Sequence, residues 1–336
     1  MNTWKKSLAV GIILLFIGTA IIQSTAQNVE KSSSVSRGHW LYVGGNGPGN
    51  YSRIQDAVDN ASDGDTVFVY DDSSPYYETI KINKPLNLIG ENRDTTIIDG
   101  RTKDWNIEIE AENVTISDFT IQNASRSGII VRGGRHSTIT NNIIQNNLAE
   151  GILFMKSTDS VINRNIIQNN GGIGIRFFGD FIYNNDIICT QNIVEKNKIG
   201  IYVTIWEKAR LTISENEIAD SSETGIILYL SMFKVYSSTV TKNNFERNNQ
   251  SANIIFRSGY GMGPFSEYIC LFITKILSKS LLIINNYWGR IRFLPYKIDV
   301  KIILVPDVNW MPELYYDYWK VDWHPAKKPY DIPGMR

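Results

Sequence analysis

An internal repeat constrains this chain more than any other feature of its sequence. The segment TITNNIIQNNLAEGILF at 138–154 returns as VINRNIIQNNGGIGIRF at 161–177. One slot of the pattern is asparagine in successive copies spaced 23, 27, 24 and 27 residues apart: Asn142, Asn165, Asn192, Asn216 and Asn243. Self-similarity at such a period is the signature of a repeat architecture, in which stacked copies bury a common core.

Apolar residues alternate with variable ones on both sides of the repeat. Two positions after the asparagine slot the residues are always apolar: Ile121, Ile144, Ile167, Val194, Ile218 and Phe245. The position between accepts charge, as at Glu217, and is expected to face outward. A Gly-Ile pair opens a second alternating run in most copies, whose first inward residues are Ile129, Ile152, Ile175, Ile201, Ile226 and, as a variant, Ile254. A period of two indicates strands and not helices.

We therefore predict an all-β chain folded as a single-stranded right-handed parallel β-helix of roughly ten coils, with column-mates about 4.8 Å apart. Asparagine is expected to form the bend, because it tolerates left-handed backbone geometry, and to link its amide up and down the stack. A short helix within 51–61, capped by Ser52 and Gln55, is expected to cover the first coil. Cys189 falls in an inward column and is expected to be a buried small hydrophobe.

The sequence divides into four parts. Residues 1–26 have the cationic start, the uncharged apolar run and the small-residue end of a signal peptide, with an uncleaved signal-anchor as the alternative. The cap and first coils are predicted at 38–110, the repeats at 111–290 with an insertion at 257–280, and an aromatic-rich C-terminal cap at 291–336. Both interpretations of the N-terminus place the rest of the chain outside the cell, secreted or on the extracellular face of the envelope, with membrane contact only through an uncleaved segment.

Charge and composition exclude some classes of partner. Lys and Arg number 34 against 34 Asp and Glu, so no basic surface for nucleic acid is expected. Three scattered histidines offer no metal-ligand cluster, and no metal is predicted. Five Asn-x-Ser/Thr sequons, among them Asn123, are candidate glycosylation acceptors in an exported protein. We predict a monomer.

Aromatic and apolar residues recur at positions that face away from the predicted core. The outward stripe and the loops behind it supply the candidate ligand-binding residues Phe178, Phe181, Tyr183, Trp206 and Tyr229. Exposed patches of this kind mark contact surfaces, here for a glycan or a surface protein. The alternative is that the insertion at 257–280 and the tail at 291–336 cover the stripe from within the chain.

The opening YSRIQDAVDNASDGDTVFVYDD and the motifs IDG (98–100), NNYWG (285–289) and DWHPAKKPYDI (322–332) resemble the pectin-lyase-like β-helix proteins. More narrowly they resemble the NosD-type periplasmic accessory proteins, a group common in archaeal envelopes. The resemblance covers about residues 40–335. The NosD-type resemblance implies a role around copper-enzyme maturation, and the resemblance to polysaccharide lyases implies aspartate-held calcium. Neither ligand set is visible in this sequence, so no cofactor is predicted.

Related β-helix enzymes cleave acidic polysaccharides with clustered carboxylates, and the acids here do not stack in that way. Glu195 and Glu246 share a column two coils apart, about 9.6 Å along the axis, at the edge of the range for inverting glycosidases. Asp180 and Asp186 lie in a loop just after Arg176 and form the next candidate cluster. The acids are better interpreted as a solvated polar stripe, and Glu215 with Lys242 as a cross-strand charge pair.

The sequence therefore predicts non-catalytic binding of an envelope polysaccharide or surface partner through the lateral face. A polysaccharide lyase or glycoside hydrolase is one alternative, and a structural or copper-enzyme-accessory protein is another.

Overall fold

The computed structural model describes residues 38–322 apart from 102, 158, 179–184, 206–208, 232–237, 258–280, 285–295 and 305–313. The predicted signal segment, the larger part of the predicted insertion and residues 323–336 lie outside the described residues. No helix in the described ranges has the length and apolar character needed to cross a bilayer.

Short strands follow one another in three sheets that wrap around a single core. One helix, α1, spans Ile54–Asn60. The strands are β1 Trp40–Val43, β2 Asp65–Val69, β3 Ile80–Ile82, β4 Leu86–Gly90, β5 Ile97–Asp99, β6 Trp105–Ile109, β7 Thr115–Ser117, β8 Thr120–Gln122, β9 Ser127–Arg132, β10 Thr138–Thr140, β11 Ile143–Gln145, β12 Ile152–Met155, β13 Ser160–Asn163, β14 Ile166–Gln168, β15 Ile173–Phe178, β16 Asn185–Thr190, β17 Ile193–Glu195, β18 Ile199–Ile205, β19 Ala209–Ser214, β20 Glu217–Ala219, β21 Thr224–Ser231, β22 Ser238–Thr241, β23 Asn244–Glu246, β24 Gln250–Arg257, β25 Leu281–Ile284, β26 Tyr296–Leu304 and β27 Leu314–Asp322.

Each strand pairs with the strand at the equivalent position of the next coil, which is usually three strands further along the chain. These pairs are parallel, apart from the last one. Sheet A runs β1-β2-β4-β7-β10-β13-β16-β19-β22-β25, sheet B runs from β5 to β23, and sheet C runs from β3 through β26 to β27. Sheets A and C have ten strands each and sheet B has seven, so seven complete coils are described and not the ten predicted. Strand β27 is antiparallel to β26 and ends sheet C. The predicted all-β parallel solenoid is confirmed.

The inward columns are those that the repeat predicted. Ile121, Ile144 and Ile167 pair in register and are fully buried, as are their column-mates further along sheet B. Phe154 and Phe177 stack face to face in the core with ring centroids 4.9 Å apart. One assignment was wrong. Ile226 pairs with Ala252, and Ile254 pairs with Leu228, because β24 begins two residues earlier than the alignment of the repeats placed it.

The asparagines of the repeat slot form a buried ladder between sheets A and B. The amide Nδ2 of Asn165 donates to Oδ1 of Asn192 at 3.1 Å, and that of Asn192 donates to Oδ1 of Asn216 at 3.0 Å. The ladder asparagine does not itself take the left-handed conformation, contrary to the prediction. That conformation belongs to the residue before it, at φ +56° in Arg164 and +55° in Gln191. The polar turn can therefore use almost any exposed side chain there, while the buried position needs the amide.

A second ladder, which the repeat reading missed, occupies the turn between sheets B and C. Asn147, Asn170 and Asn197 are buried, and each amide Nδ2 of the first two donates to the next Oδ1 at 3.0 Å. The asparagine pair NN at 146–147 and 169–170 was its signal in the sequence.

The glycine column has a steric cause. A Cβ on Gly174 would lie 2.7 Å from the carbonyl oxygen of Gly200 in the next coil, closer than carbon and oxygen can approach. The same carbonyl approach recurs at Gly151 and Gly200. The Gly-Ile landmark therefore marks the point where the backbones of successive coils lie closest.

Helix α1 covers the first coil, as predicted, with Ile54, Ala57 and Val58 buried. Its predicted capping box is wrong, because no side chain of the helix caps its own N-terminus. The carboxylate of Glu78 does so instead, accepting the backbone N–H groups of Ile54 at 2.9 Å and Gln55 at 3.1 Å.

Candidate ligand-binding face

The outward side of sheet C carries the stripe that the sequence singled out. Two columns of side chains run along it because successive residues of a strand point to opposite faces. The first contains Glu108, Ile130, Leu153, Arg176, Tyr202 and Ile227. The second contains Arg132, Met155, Phe178, Thr204 and Tyr229. The face is thus a mixture of apolar groups, aromatic rings and two guanidinium groups. We call it the sheet C face.

Arg176 is a polar group of the sheet C face that is fixed by contacts with a carboxylate and two rings. Its Nη1 donates to Oε1 of Glu150 at 3.0 Å, and the other carboxylate oxygen of Glu150 accepts the hydroxyl of Ser127 at 3.1 Å. The guanidinium carbon lies 4.9 Å from the ring centroid of Phe178 and 5.8 Å from that of Tyr202. Cation–π attraction and the ion pair together hold the cation between two rings.

Part of the Arg176 side chain stays accessible to a ligand. Its side chain keeps 32% of its surface exposed. Its Nε is buried and has no hydrogen-bond partner among the described residues. Sequence reasoning grouped Arg176 with Asp180 and Asp186 and did not name Glu150, since Arg176 and Glu150 lie 26 residues apart and meet only across the stacked coils.

A second charged group lies at the N-terminal end of the sheet C face. Arg132 Nε donates to Glu108 Oε1 at 2.6 Å, and its guanidinium carbon lies 5.3 Å from the ring centroid of Trp105. Lys81 bonds Glu110 at 2.8 Å. Both of these carboxylates are thus paired with cations at this end of the face.

The predicted aromatic ligand-binding residues are only partly described. Phe178 is 42% exposed. Tyr229 is half-buried and pairs in register with Thr204 and Ile255. Phe181, Tyr183 and Trp206 lie outside the described residues. Their roles stay predictions.

The structure does not bring the predicted catalytic carboxylates to one centre. Glu195 and Glu246 share a column of sheet B with Ala219 between them, as predicted. Glu195 accepts a hydrogen bond from Lys196 Nζ at 2.7 Å, and Glu246 accepts one from Arg247 Nη1 at 2.7 Å. Each is charge-paired with the residue beside it.

Of the second predicted acid pair only Asp186 is described, and it lies in strand β16 and not in a loop. Asp186 binds the guanidinium of Arg210 and not Arg176, whose carboxylate partner is Glu150. Asp180 lies outside the described residues. Asp220 is held by two hydrogen bonds from Arg247, and this guanidinium is the main reason that the pKa of Asp220 is lowered. The predicted pair of Glu215 and Lys242 is confirmed at 3.6 Å.

The donor set of the described residues does not fit copper or calcium. No group of three His, Cys, Asp or Glu side chains in the described ranges could hold a metal ion. Cys189 is fully buried in the core, where it stacks between Ile162 and Ile213, and burial raises the pKa of its thiol to about 12. His39 and His136 are exposed. Soft-metal sites need clustered thiolates, thioethers or imidazoles, and the part of the chain that the structure describes brings no cluster of thiols or imidazoles together.

Comparison with known proteins agrees with the fold. Residues 97–245 match the family model described as a right handed beta helix region. No curated protein matches the chain. The match and the three parallel sheets together make this chain a parallel β-helix repeat protein. That fold is shared by polysaccharide-binding proteins and by polysaccharide lyases and hydrolases.

Proposed function

We propose that this β-helix protein is an exported cell-envelope protein that binds polysaccharide through the sheet C face without cleaving it. The observation that carries the proposal is Arg176, fixed by Glu150 beside the exposed ring of Phe178 and the ring of Tyr202. Sugar rings have apolar faces that pack on aromatic side chains and hydroxyl rims that accept hydrogen bonds from a guanidinium.

The shape of the face supports an extended ligand. Parallel coils repeat about every 4.8 Å, so equivalent side chains form straight columns along the solenoid. A polymer lying along these columns would meet Arg132, Met155 and Phe178 in turn. Because each of these cations is paired with one acid, the face has no excess of either charge, and a hydroxyl-rich chain suits it better than a strongly charged one.

Binding without catalysis is favoured because the described carboxylates do not converge. A glycosidase needs two carboxyl groups on either side of one bond, and Glu195, Glu246 and Asp186 each pair with a different cation on separate coils.

The test is a glycan array and a pull-down on insoluble envelope polysaccharide. The double variant Phe178→Ala, Tyr202→Ala is expected to lose about tenfold or more in affinity, since each ring contributes on the order of 1 kcal/mol. The control is Trp40→Ala, which removes an exposed ring of sheet A, 54% accessible, from another face. No retained glycan with the wild-type protein, or equal loss in both variants, contradicts the proposal. Release of soluble oligosaccharides would favour the enzymatic alternative.

A further inference from the structure

A pocket lies beside the turn between sheets B and C, at the N-terminal end of the solenoid and apart from the sheet C face. Its volume is about 390 Å³. It is lined by Tyr77, Asp99, Arg101, Asn123, Asn146 and Leu148, with Ala124 at its base. This volume is within the range of small-ligand sites, which combine apolar walls with a few fixed polar groups.

Arg101 and Tyr77 form one wall. The guanidinium carbon of Arg101 lies 3.2 Å from the centroid of the Tyr77 ring, which is exposed. No carboxylate of the described residues is within ion-pairing distance of Arg101. The ring therefore holds the guanidinium in place by cation–π attraction, while its N–H donors stay available to a ligand.

Asp99 is a fixed carboxylate in the same pocket. Its Oδ2 accepts the side-chain amides of Asn123 at 2.6 Å and Gln122 at 3.1 Å, and its Oδ1 accepts the backbone N–H of Arg101 at 2.9 Å. Gln122 in turn accepts a bond from Gln145, so a ladder of glutamines on sheet B ends at Asp99. The carboxylate is thus pre-organised by the repeat and is not a mobile surface charge.

The two remaining residues add an apolar surface and an uncharged polar group to the pocket. Leu148 is 67% exposed and offers an apolar surface. Asn146, in the left-handed conformation at φ +56°, is exposed and offers an amide that can both donate and accept. One carboxylate and one guanidinium give the lining no net charge.

We propose that this pocket binds a single uncharged, hydroxylated six-membered ring, that is, a neutral pyranose sugar. The ring's apolar face would pack on Leu148, and its hydroxyl groups would bond Arg101, Asn146 and the one acceptor position of Asp99 Oδ1 that is not already used. A charged ligand meets one opposite and one like charge in the lining, so its charge gains little net attraction while its desolvation still costs free energy. The inference stands apart from the proposed polysaccharide binding, which uses another surface.

The experiment is ligand-observed NMR and calorimetry on the protein produced without N-glycosylation, since Asn123 begins a sequon. The probes are D-glucose, D-galactose, N-acetyl-D-glucosamine and, as a charged comparison, D-glucuronate. A dissociation constant on the order of millimolar is expected for at least one neutral sugar, from its dozen or so non-hydrogen atoms at ordinary ligand efficiency. Glucuronate is expected to bind more weakly than the neutral sugars.

The variants include a matched control. Arg101→Gln is expected to weaken binding about tenfold, because it removes charge-assisted hydrogen bonds. Arg164→Gln removes the same group from another turn and should bind as the wild type. Both arginines have positive φ, +44° and +56°, and Gln191 already occupies the column of Arg164 in that conformation. Leu148→Ala, at an exposed position that the core does not need, should weaken binding by about threefold.

Three outcomes would overturn the inference. One is no binding of any neutral sugar by the folded protein at tens of millimolar. Another is preferred binding of glucuronate. The third is wild-type affinity in both Arg101→Gln and Leu148→Ala. The double variant Phe178→Ala, Tyr202→Ala should leave monosaccharide binding here unchanged, so failure of this pocket and failure of the sheet C face are separable.

Discussion

Buried asparagine amides connect one coil to the next at the scale of single residues. Asn192 accepts the backbone N–H of Asn165, and its Nδ2 donates to Asn216 Oδ1 and to the carbonyl oxygens of Ile162 and Thr190. Every group that Nδ2 faces is an acceptor. A side chain of the same shape without this donor would place another acceptor against those oxygens.

Asn192→Asp tests this directly. The carboxylate would be buried among acceptors, so the free energy of unfolding should fall by about 3 kcal/mol or more, measured by urea denaturation near neutral pH. The control is Asn169→Asp, at an exposed left-handed position in the column that Asp220 already occupies. Its effect should stay within about 0.5 kcal/mol. Similar losses in both variants would show that the ladder amide is not what stabilises the turn.

Cys189 gives a second prediction at this scale. Burial raises the pKa of the thiol to about 12, above the ordinary value of a cysteine. Protonated thiol is therefore favoured in the folded state. The resulting stability is fully present below the unfolded pKa, near 9, and is lost as the pH rises from there toward 12. In a Cys270→Ser background, Cys189 should resist a thiol reagent at pH 8 until the protein unfolds. Rapid labelling of the native protein would contradict its place in the core.

At the scale of elements, helix α1 is capped by a residue that lies outside the helix. Helix α1 is only seven residues long, so its stability depends on packing and on its end. Glu78, just before β3, supplies the acceptors for its first N–H groups, and β3 itself lies under the helix. The cap over the first coil is thus fixed by a carboxylate some two dozen residues along the chain.

Glu78→Ala is expected to destabilise the protein by about 1–2 kcal/mol, because two N–H groups lose their acceptors and the helix dipole loses a facing charge. Amide hydrogen exchange at Ile54 and Gln55 should quicken first. Asp56→Ala, in the first turn but without such a bond, should cost less than half as much. Unchanged exchange at Ile54 in Glu78→Ala would rule out the cap.

At the scale of the whole molecule, the first and the last described coils differ in the elements that lie beside them. Helix α1 covers the first coil. At the other end of sheet C, the last described strand, β27, pairs with β26 in the antiparallel direction. An uncovered end of a parallel sheet offers a row of unpaired backbone groups to another chain. Strand β27 pairs with the edge of β26 and is itself the last described strand of sheet C.

Removal of β27 tests whether this pairing protects the edge. A chain ending at residue 304 is expected to self-associate, since β26 would become an open edge, and light scattering after gel filtration should show species larger than a monomer. A chain ending at residue 322 keeps β27 and is the control, expected to remain monomeric. A monomeric 304-residue chain would show that the edge needs no cover.

The sequence by itself determined the repeat, the inward columns and the sheet architecture. A period-two pattern that recurs every 23 to 27 residues buries its apolar face when its copies stack as coils. The sequence also placed Cys189 in the core and paired Glu215 with Lys242, since column-mates must stack. The repeated NN pairs indicate the second asparagine ladder, but this ladder was not predicted from them.

Tertiary structure decided the contacts that cross coils at variable turns. Arg176 meets Glu150 and not Asp186, Glu78 and not Ser52 caps the helix, and Arg101 stacks on Tyr77. Such pairs depend on the length and path of each turn and on which long side chain reaches across the stack. A repeat pattern specifies the column of a residue, but only the folded coils bring side chains of different columns together.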